Sequence, residues 1–252
     1  MQVIEATMLT HGKVGFASRE VGRMTDTEPC VLNTALHYAL GLSGGRYVDT
    51  SHQPTYIEDT AAVVNDIYVT PAVPAKTDKQ DSARASFITT VRNARGDDYA
   101  TPNYPATDSR NEKANLNVPS FERERALAPG NLFRFYVFPY GRSVEEALEA
   151  LPQYIRLGKK RGKARVEYRT VDAERRSGTF SLGHPLSIYD HKARPTGGVI
   201  MKQIQPTPLV YEGEFDTDHY AIESPFSEEA DYEARVCYPA DAKFLLRKRG
   251  DA

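Results

Sequence analysis

The stretch LFRFYVFPYGRSVEEALEALPQYIRLGKKRGKARVEY, residues 132–168 of a 252-residue chain, decides how the rest is read. Leu132 to Phe138 is a dense aromatic and β-branched run, which predicts a central strand. Ser143, with Glu146 three residues on, forms a capping box that opens a helix. The apolar stripe of that helix is Val144, Ala147, Leu148 and Leu151, and Pro152 helps stop it. Beyond a basic loop punctuated by glycine, Ala164, Val166 and Tyr168 alternate with Arg165, Glu167 and Arg169, the pattern of a half-buried strand.

Outward from this unit, Gln2 to Thr10 puts Ile4, Ala6 and Met8 on one face, as expected for an opening strand. The segment HGKVGFASREVGRMTD, residues 11–26, predicts a loop that holds Arg19 and Arg23 ahead of a helix. Asp26 or Thr27 can cap that helix, Pro29 fits its first turn, and Leu32, Ala35, Leu36, Ala39 and Leu40 recur at helical spacing. Gly41 and the Gly44-Gly45 pair end it. Ile67 to Thr70 and Phe87 to Arg92 read as extended. The order strand, helix, two extended segments, helix, strand predicts an α+β chain with a ferredoxin-like (RRM-like) core. Asn93 to Ser120 is polar and rich in Asn, Asp, Pro and Tyr, which predicts a long middle insertion. From Thr179 onward the chain is β-like but poorly periodic, through Gly197-Gly198, Val199 to Gln205 and Pro206 to Glu214. The expected division is a core over 1–175, with its insertion at about 93–120, and a β-rich C-terminal extension over 176–252 packed on the same domain.

Charge supplies the functional signal. The run RLGKKRGKAR, Arg156 to Arg165, carries six positive charges and no acid, whereas the whole chain has a net charge of -2. Everything outside the run therefore sums to about -8, and a basic patch on an acidic chain marks a site for an anion. The candidate contacts are Arg156, Lys159, Lys160, Arg161, Lys163 and Arg165, with Arg19 and Arg23 as a second set. Gly158 and Gly162 let the backbone turn tightly and bring amides near an anion. Six like charges repel one another unless an anion is present. If all six met phosphates on a single strand, log affinity against log salt would slope at roughly -4. Tyr154 lies just upstream and can pack or stack on a base.

A P-loop is excluded. Three residues, not four, separate Gly158 from Gly162, Ala164 rather than Ser or Thr follows Lys163, and the run leads from helix to strand. Gln203 to Ala234 holds no Lys or Arg and nine acids from Glu212 to Glu233, so it cannot lie on a phosphate backbone; it is a solvated face or a dock for a basic partner. Cys30 and Cys237 form no CxxC pair, and His11, His37, His52, His184, His191 and His219 show no ligand spacing, so no metal or cofactor is expected. The first residues lack a signal-peptide pattern and no apolar run approaches ~18 residues, so a soluble cytoplasmic protein with no membrane partner is expected. A metal-independent ribonuclease needs only a His or Tyr and a Lys near the scissile phosphate, and that alternative stays open.

The segments Phe16 to Pro29 (FASREVGRMTDTEP), Asn33 to Leu42 (NTALHYALGL), Tyr154 to Tyr168, His184 to Leu186 and Pro206 to Glu214, in that order, resemble Csc-one, the Cas-five-like RAMP family of type I-D CRISPR effector (Cascade) complexes. The resemblance covers most of the chain, with the middle excursion the weakest part. It implies a ferredoxin-like RNA-binding RAMP fold with a glycine-rich loop between its second helix and last strand, where Gly158 to Gly162 falls. It implies a structural subunit that caps the crRNA 5′ handle and contacts the backbone (Cas-seven-like) and large subunits. Such a subunit lies near the point where target double-stranded DNA is checked beside the PAM, while sequence is read by guide pairing. Related subunits of another subtype cut precursor crRNA, but no matching catalytic trio is present here.

Overall fold

Paired on both sides and buried on both faces over Val3 to Ala6, β1 (Gln2–Thr10) is the spine of the main sheet. The computed structural model describes residues 1–21, 24–44, 55–75, 84–94, 120–159, 161–223 and 235–250. After β1 come β2 (Arg19–Val21), β3 (Met24–Asp26), α1 (Asn33–Ala39), α2 (Tyr56–Asp59), β4 (Tyr68–Val69) and β5 (Val73–Pro74). The middle of the chain forms β6 (Phe87–Ala94), β7 (Ser120–Leu127), β8 (Leu132–Phe138), α3 (Val144–Ala150), β9 (Tyr154–Leu157) and β10 (Gly162–Arg176). The C-terminal part adds β11 (Thr179–Ser181), β12 (Leu186–Ser187), β13 (Gly197–Lys202), β14 (Leu209–Asp216), β15 (His219–Glu223), β16 (Arg235–Pro239) and α4 (Leu246–Gly250). The architecture is mixed α+β with a β-rich core.

The main sheet runs β16-β15-β10-β1-β8-β4, with β5 added on β8 and β9 on β10. Its strand pairs are antiparallel: Met8 stands opposite Val166 of β10 on one side and Phe133 of β8 on the other. One face of β1, with Ile4, Ala6 and Met8, joins Phe133, Phe135, Val137, Ala164 and Val166 under Leu36 and Leu40 of the α1 region and Ala147 and Leu151 of the α3 region. Burial of a side chain the size of Phe133 or Phe135 contributes roughly 1.5–3 kcal/mol. Among the described residues, the opposite face is covered only at its other end. There Val3, Tyr136, Phe138, Val171 and Ala173 pack with Phe180, Leu182, Phe215, Tyr220, Tyr238 and Phe244 from the C-terminal part.

β10 shows how one strand serves both cores. Gly162, Ala164 and Val166 are its buried positions at the start, and Val171 and Ala173 are buried further on, so the covered side changes between Tyr168 and Thr170. Glu5, fully buried at this changeover, accepts from Arg169 Nε at 2.7 Å and lies 3.8 Å from Arg134 Nη1. A second buried carboxylate ties the C-terminal part to the rest. Asp190 accepts from Asn33 Nδ2 at 2.6 Å, Tyr68 OH at 2.8 Å and the Leu245 amide at 3.0 Å. Burial pushes its carboxyl up from 3.8 to about 6.

Several expectations hold in detail. Ser143 caps α3 with the capping box complete, and Gly41 leaves α1 at a φ of 73°. The first helix, however, begins at Asn33, not just after Asp26 or Thr27. Those two caps have other partners: Asp26 takes Arg125 Nη1 at 2.9 Å, and the Thr27 hydroxyl donates to the Phe16 carbonyl at 2.9 Å. The expected loop around Arg19 is instead a small β2-β3 hairpin. Phe87 to Arg92 is extended, but as part of β6 it pairs with β7 in a separate sheet, β2-β3-β7-β6, rather than in the core. Most of the predicted insertion, residues 95–119, lies outside the described residues; its two ends are strands of one antiparallel ribbon.

Candidate nucleic-acid interface

The basic run is not a loop from helix to strand. β9 pairs with β10, matching Arg156 with Lys163 and Tyr154 with Arg165, so Arg156 to Arg165 forms a β-hairpin. The extended segment in QYIRL is hard to see in sequence because its two inward residues, Ile155 and Leu157, are too few to show a period. The turn closes with the Arg161 amide donating to the Gly158 carbonyl at 3.0 Å, with Gly158 at a φ of 72° and Arg161 at 52°.

The glycines have a packing role in this turn. A Cβ on Gly158 would stand 2.5 Å from the Gly15 carbonyl oxygen, and one on Gly162 would collide with the Lys13 carbonyl. The hairpin thus lies backbone to backbone on the segment after β1. The Lys159 amide donates to Gly15 O at 3.0 Å, and the amides of His11 and Gly12 donate to Lys163 O at 2.8 and 3.1 Å. That docking fixes the hairpin and leaves its described basic side chains outward.

Arg156, Lys159, Arg161, Lys163 and Arg165 are all exposed. Arg156 Nη1 donates to the Arg161 carbonyl at 3.2 Å, and Arg165 lies 2.9 Å from Glu167 on its own strand. Tyr154 is 54% exposed, and Lys163 Nζ sits 4.3 Å from its ring centroid. Arg165 is also level with Leu9 of β1, which is opposite Leu132 of β8. The row Leu132, Leu9, Arg165, Tyr154 crosses the sheet on the face that the C-terminal part leaves uncovered, a width of about 14 Å. At the far border of this face Glu5 holds Arg169 and Arg134.

Of the second basic set, only Arg19 falls among the described residues, and an acid engages it. Arg19 pairs with Glu28, which also takes Lys202 Nζ at 3.3 Å. Lys160 and Arg23 lie outside the described residues. Leu9 is a member of the open face that sequence reasoning missed; its signal is an apolar residue out of phase with Ile4, Ala6 and Met8. Most of the described histidines are withdrawn from chemistry at this face. His37 and His184 are fully buried, and burial brings both down to about 3; His191 is lowered by the same cause. His11 is exposed at the root of the hairpin.

An antiparallel sheet with helices on one side and an open basic strip on the other belongs here to a CRISPR effector subunit. Residues 1–247 match the family described as type I-D CRISPR-associated protein Cas5/Csc1, and the chain belongs to that family. No curated protein sequence matches it. Among solved structures, it is similar to a chain of the type III-B Cmr-beta complex bound to cognate target RNA and AMPPnP, at 10% identity and a TM-score of 0.46, covering 84% of this chain and 86% of that one. A CRISPR protein from Archaeoglobus fulgidus is similar at 9% identity and a TM-score of 0.39, covering 90% of this chain and 97% of that one. A chain of a type IV-B CRISPR complex is similar at 6% identity and a TM-score of 0.35, covering 67% and 90%. No helix among the described residues is long and apolar enough to cross a membrane.

Proposed function

We propose that this chain is the guide-RNA-binding subunit of a cytoplasmic type I-D surveillance complex, holding the crRNA 5′ handle on the 154–165 hairpin and the adjacent open sheet face. The observation that carries this reading is the hairpin's outward cluster of Arg156, Lys159, Arg161, Lys163 and Arg165. Arg156 and Lys163 stand directly opposite one another, an arrangement that destabilises a hairpin unless an anion lies between them. Tyr154 adds a π-face for an unstacked base, and the cations follow the phosphates without reading sequence.

We read the β1-α1-β4-β8-α3-β10 order, with the four strands placed β10-β1-β8-β4, as the ferredoxin-like plan, in which the uncovered sheet face is a natural RNA platform. From family membership we extend the proposal to the expected neighbours: the backbone (Cas-seven-like) subunit, the large subunit and target double-stranded DNA near the PAM. The role is binding, and catalysis is left to other proteins. Changing Lys159, Lys160 and Arg161 together to Ala should weaken handle-RNA retention and flatten its salt dependence while the fold is kept. Unchanged affinity in that variant would overturn the assignment.

One observation supports a second reading, metal-independent cleavage of precursor crRNA. His11 is exposed, and its amide is 2.8 Å from the Lys163 carbonyl, beside the Lys163-Tyr154 contact. Incubation with repeat RNA in EDTA separates the two readings. Cleavage at one position that is lost in His11→Ala favours the enzyme, and intact RNA favours the binding subunit.

A further inference from the structure

A second surface of the molecule is unsuited to RNA. β13 (Gly197–Lys202) pairs with β14 along one edge, and its other edge is unpaired among the described residues. Val199, Ile200 and Met201 are 49%, 51% and 41% exposed. Three exposed apolar residues in succession mean that this part of the strand is not packed on the core. Its register with β14 shifts on either side of Ile200, which bends and twists the strand there.

A bare apolar edge is a template for strand addition, and proteins usually blunt one with a charge, most often lysine. Here Lys202 is the one charged residue of the strand, and it is engaged by partners within the chain. Its Nζ lies 3.3 Å from Glu28 Oε2 and 4.8 Å from the Tyr211 ring centroid. On β14 the exposed residues Glu212, Glu214 and Asp216 form a row with no ion-pair partner among the described residues. Ile200 stands opposite Glu212 and Gly197 opposite Glu214. Lys192 and Arg194, which precede the strand, make no ion pair with this row.

We propose that the β13 edge is a protein-docking site. Its occupant is an extended segment of a neighbouring subunit that alternates apolar residues with Lys or Arg and adds as a further strand. Its backbone pairs with Gly197–Met201, and its basic side chains reach across Ile200 to Glu212 and Glu214. The reach is two inter-strand spacings, about 10 Å, which a lysine and a glutamate side chain span together. Phosphate is excluded by the acids, and a purely apolar partner leaves them unmatched. This inference rests on the reading of the chain as a subunit of a larger complex.

The test uses the full chain and the remaining subunits of its own effector complex, purified without it and treated with nuclease. The expected result is that amides of residues 198–202 exchange at least tenfold more slowly in the assembly than in the free chain. Ile200→Lys, at an exposed position, should weaken association at least tenfold while leaving handle-RNA affinity unchanged. Glu212→Lys with Glu214→Lys should weaken it similarly and reverse the direction of its salt dependence. Unaltered exchange at 198–202, or association indifferent to these changes, would overturn the proposal. So would loss of RNA affinity in Ile200→Lys, which would make the edge an RNA surface, or protection of the edge by a second copy of this chain alone. Because association is read after nuclease treatment, failure of the hairpin to bind RNA leaves this outcome unaffected.

Discussion

Arg156→Glu should improve the isolated protein and impair it as an RNA binder. Arg156 stands across from Lys163, so the substitution replaces a like-charged cross-strand pair with an opposite-charged one. Cross-strand pairs are worth roughly 0.2–1 kcal/mol, and the change from repulsion to attraction is about 1 kcal/mol. The exposed bond from Arg156 Nη1 to the Arg161 carbonyl, at 3.2 Å, disappears and offsets part of this. The Lys163-Tyr154 contact at 4.3 Å is untouched. For a chain of this length the melting midpoint should stay level or rise by about 2–4 °C. On RNA, each phosphate that the protein no longer neutralises makes the salt slope shallower by about 0.7, from roughly -4 toward -3.3. Between 50 mM and 1 M salt one neutralised phosphate is worth about eightfold, so binding at 50 mM should fall by at least that factor. Scanning calorimetry and titration of labelled handle RNA across a salt series read the two halves separately. A midpoint lowered by several degrees would refute the repulsion argument, and an unchanged affinity and slope would remove Arg156 from the RNA.

Gly158→Ala should cost at least about 2 kcal/mol, since it adds a clash with Gly15 O to the strain of a left-handed backbone. Gly41→Ala, at nearly the same φ with nothing within 4 Å, should cost only about 1 kcal/mol, and chemical denaturation of the pair isolates the docking of the hairpin. Asp190 binds its proton more tightly when folded, so its contribution is present below about pH 4 and is lost as pH rises through about 6, roughly 3 kcal/mol in all. Denaturation of wild type and Asp190→Asn from pH 4 to 7 should therefore show the variant gaining on wild type as pH rises, and parallel curves would contradict this.

Elements with a complete local signature are legible in sequence. The capping box places α3, and the alternation of Ala164 and Val166 places β10 and its buried side. Where competing partners decide, the sequence misleads. Asp26 and Thr27 look like helix caps, but Arg125 and the Phe16 backbone engage them, which moves the start of α1 to Asn33. The hairpin reads as a loop because β9 turns only Ile155 and Leu157 inward. Its glycines look like a cradle for an anion, whereas the need for Gly158 and Gly162 comes from Lys13 and Gly15, far off in sequence. The basic cluster itself is plain from charge alone. Which side of the sheet it shares is not, because that depends on how far the C-terminal part covers the sheet.

Photo-crosslinking of handle RNA substituted with 4-thiouridine, followed by peptide mapping in the assembled complex, tests the central claim most directly. The prediction is that crosslinks concentrate on residues 154–165, with Tyr154 among them, and extend to Leu9 on the adjoining strand. Crosslinks confined to other parts of the chain, with 154–165 unmarked, would contradict it.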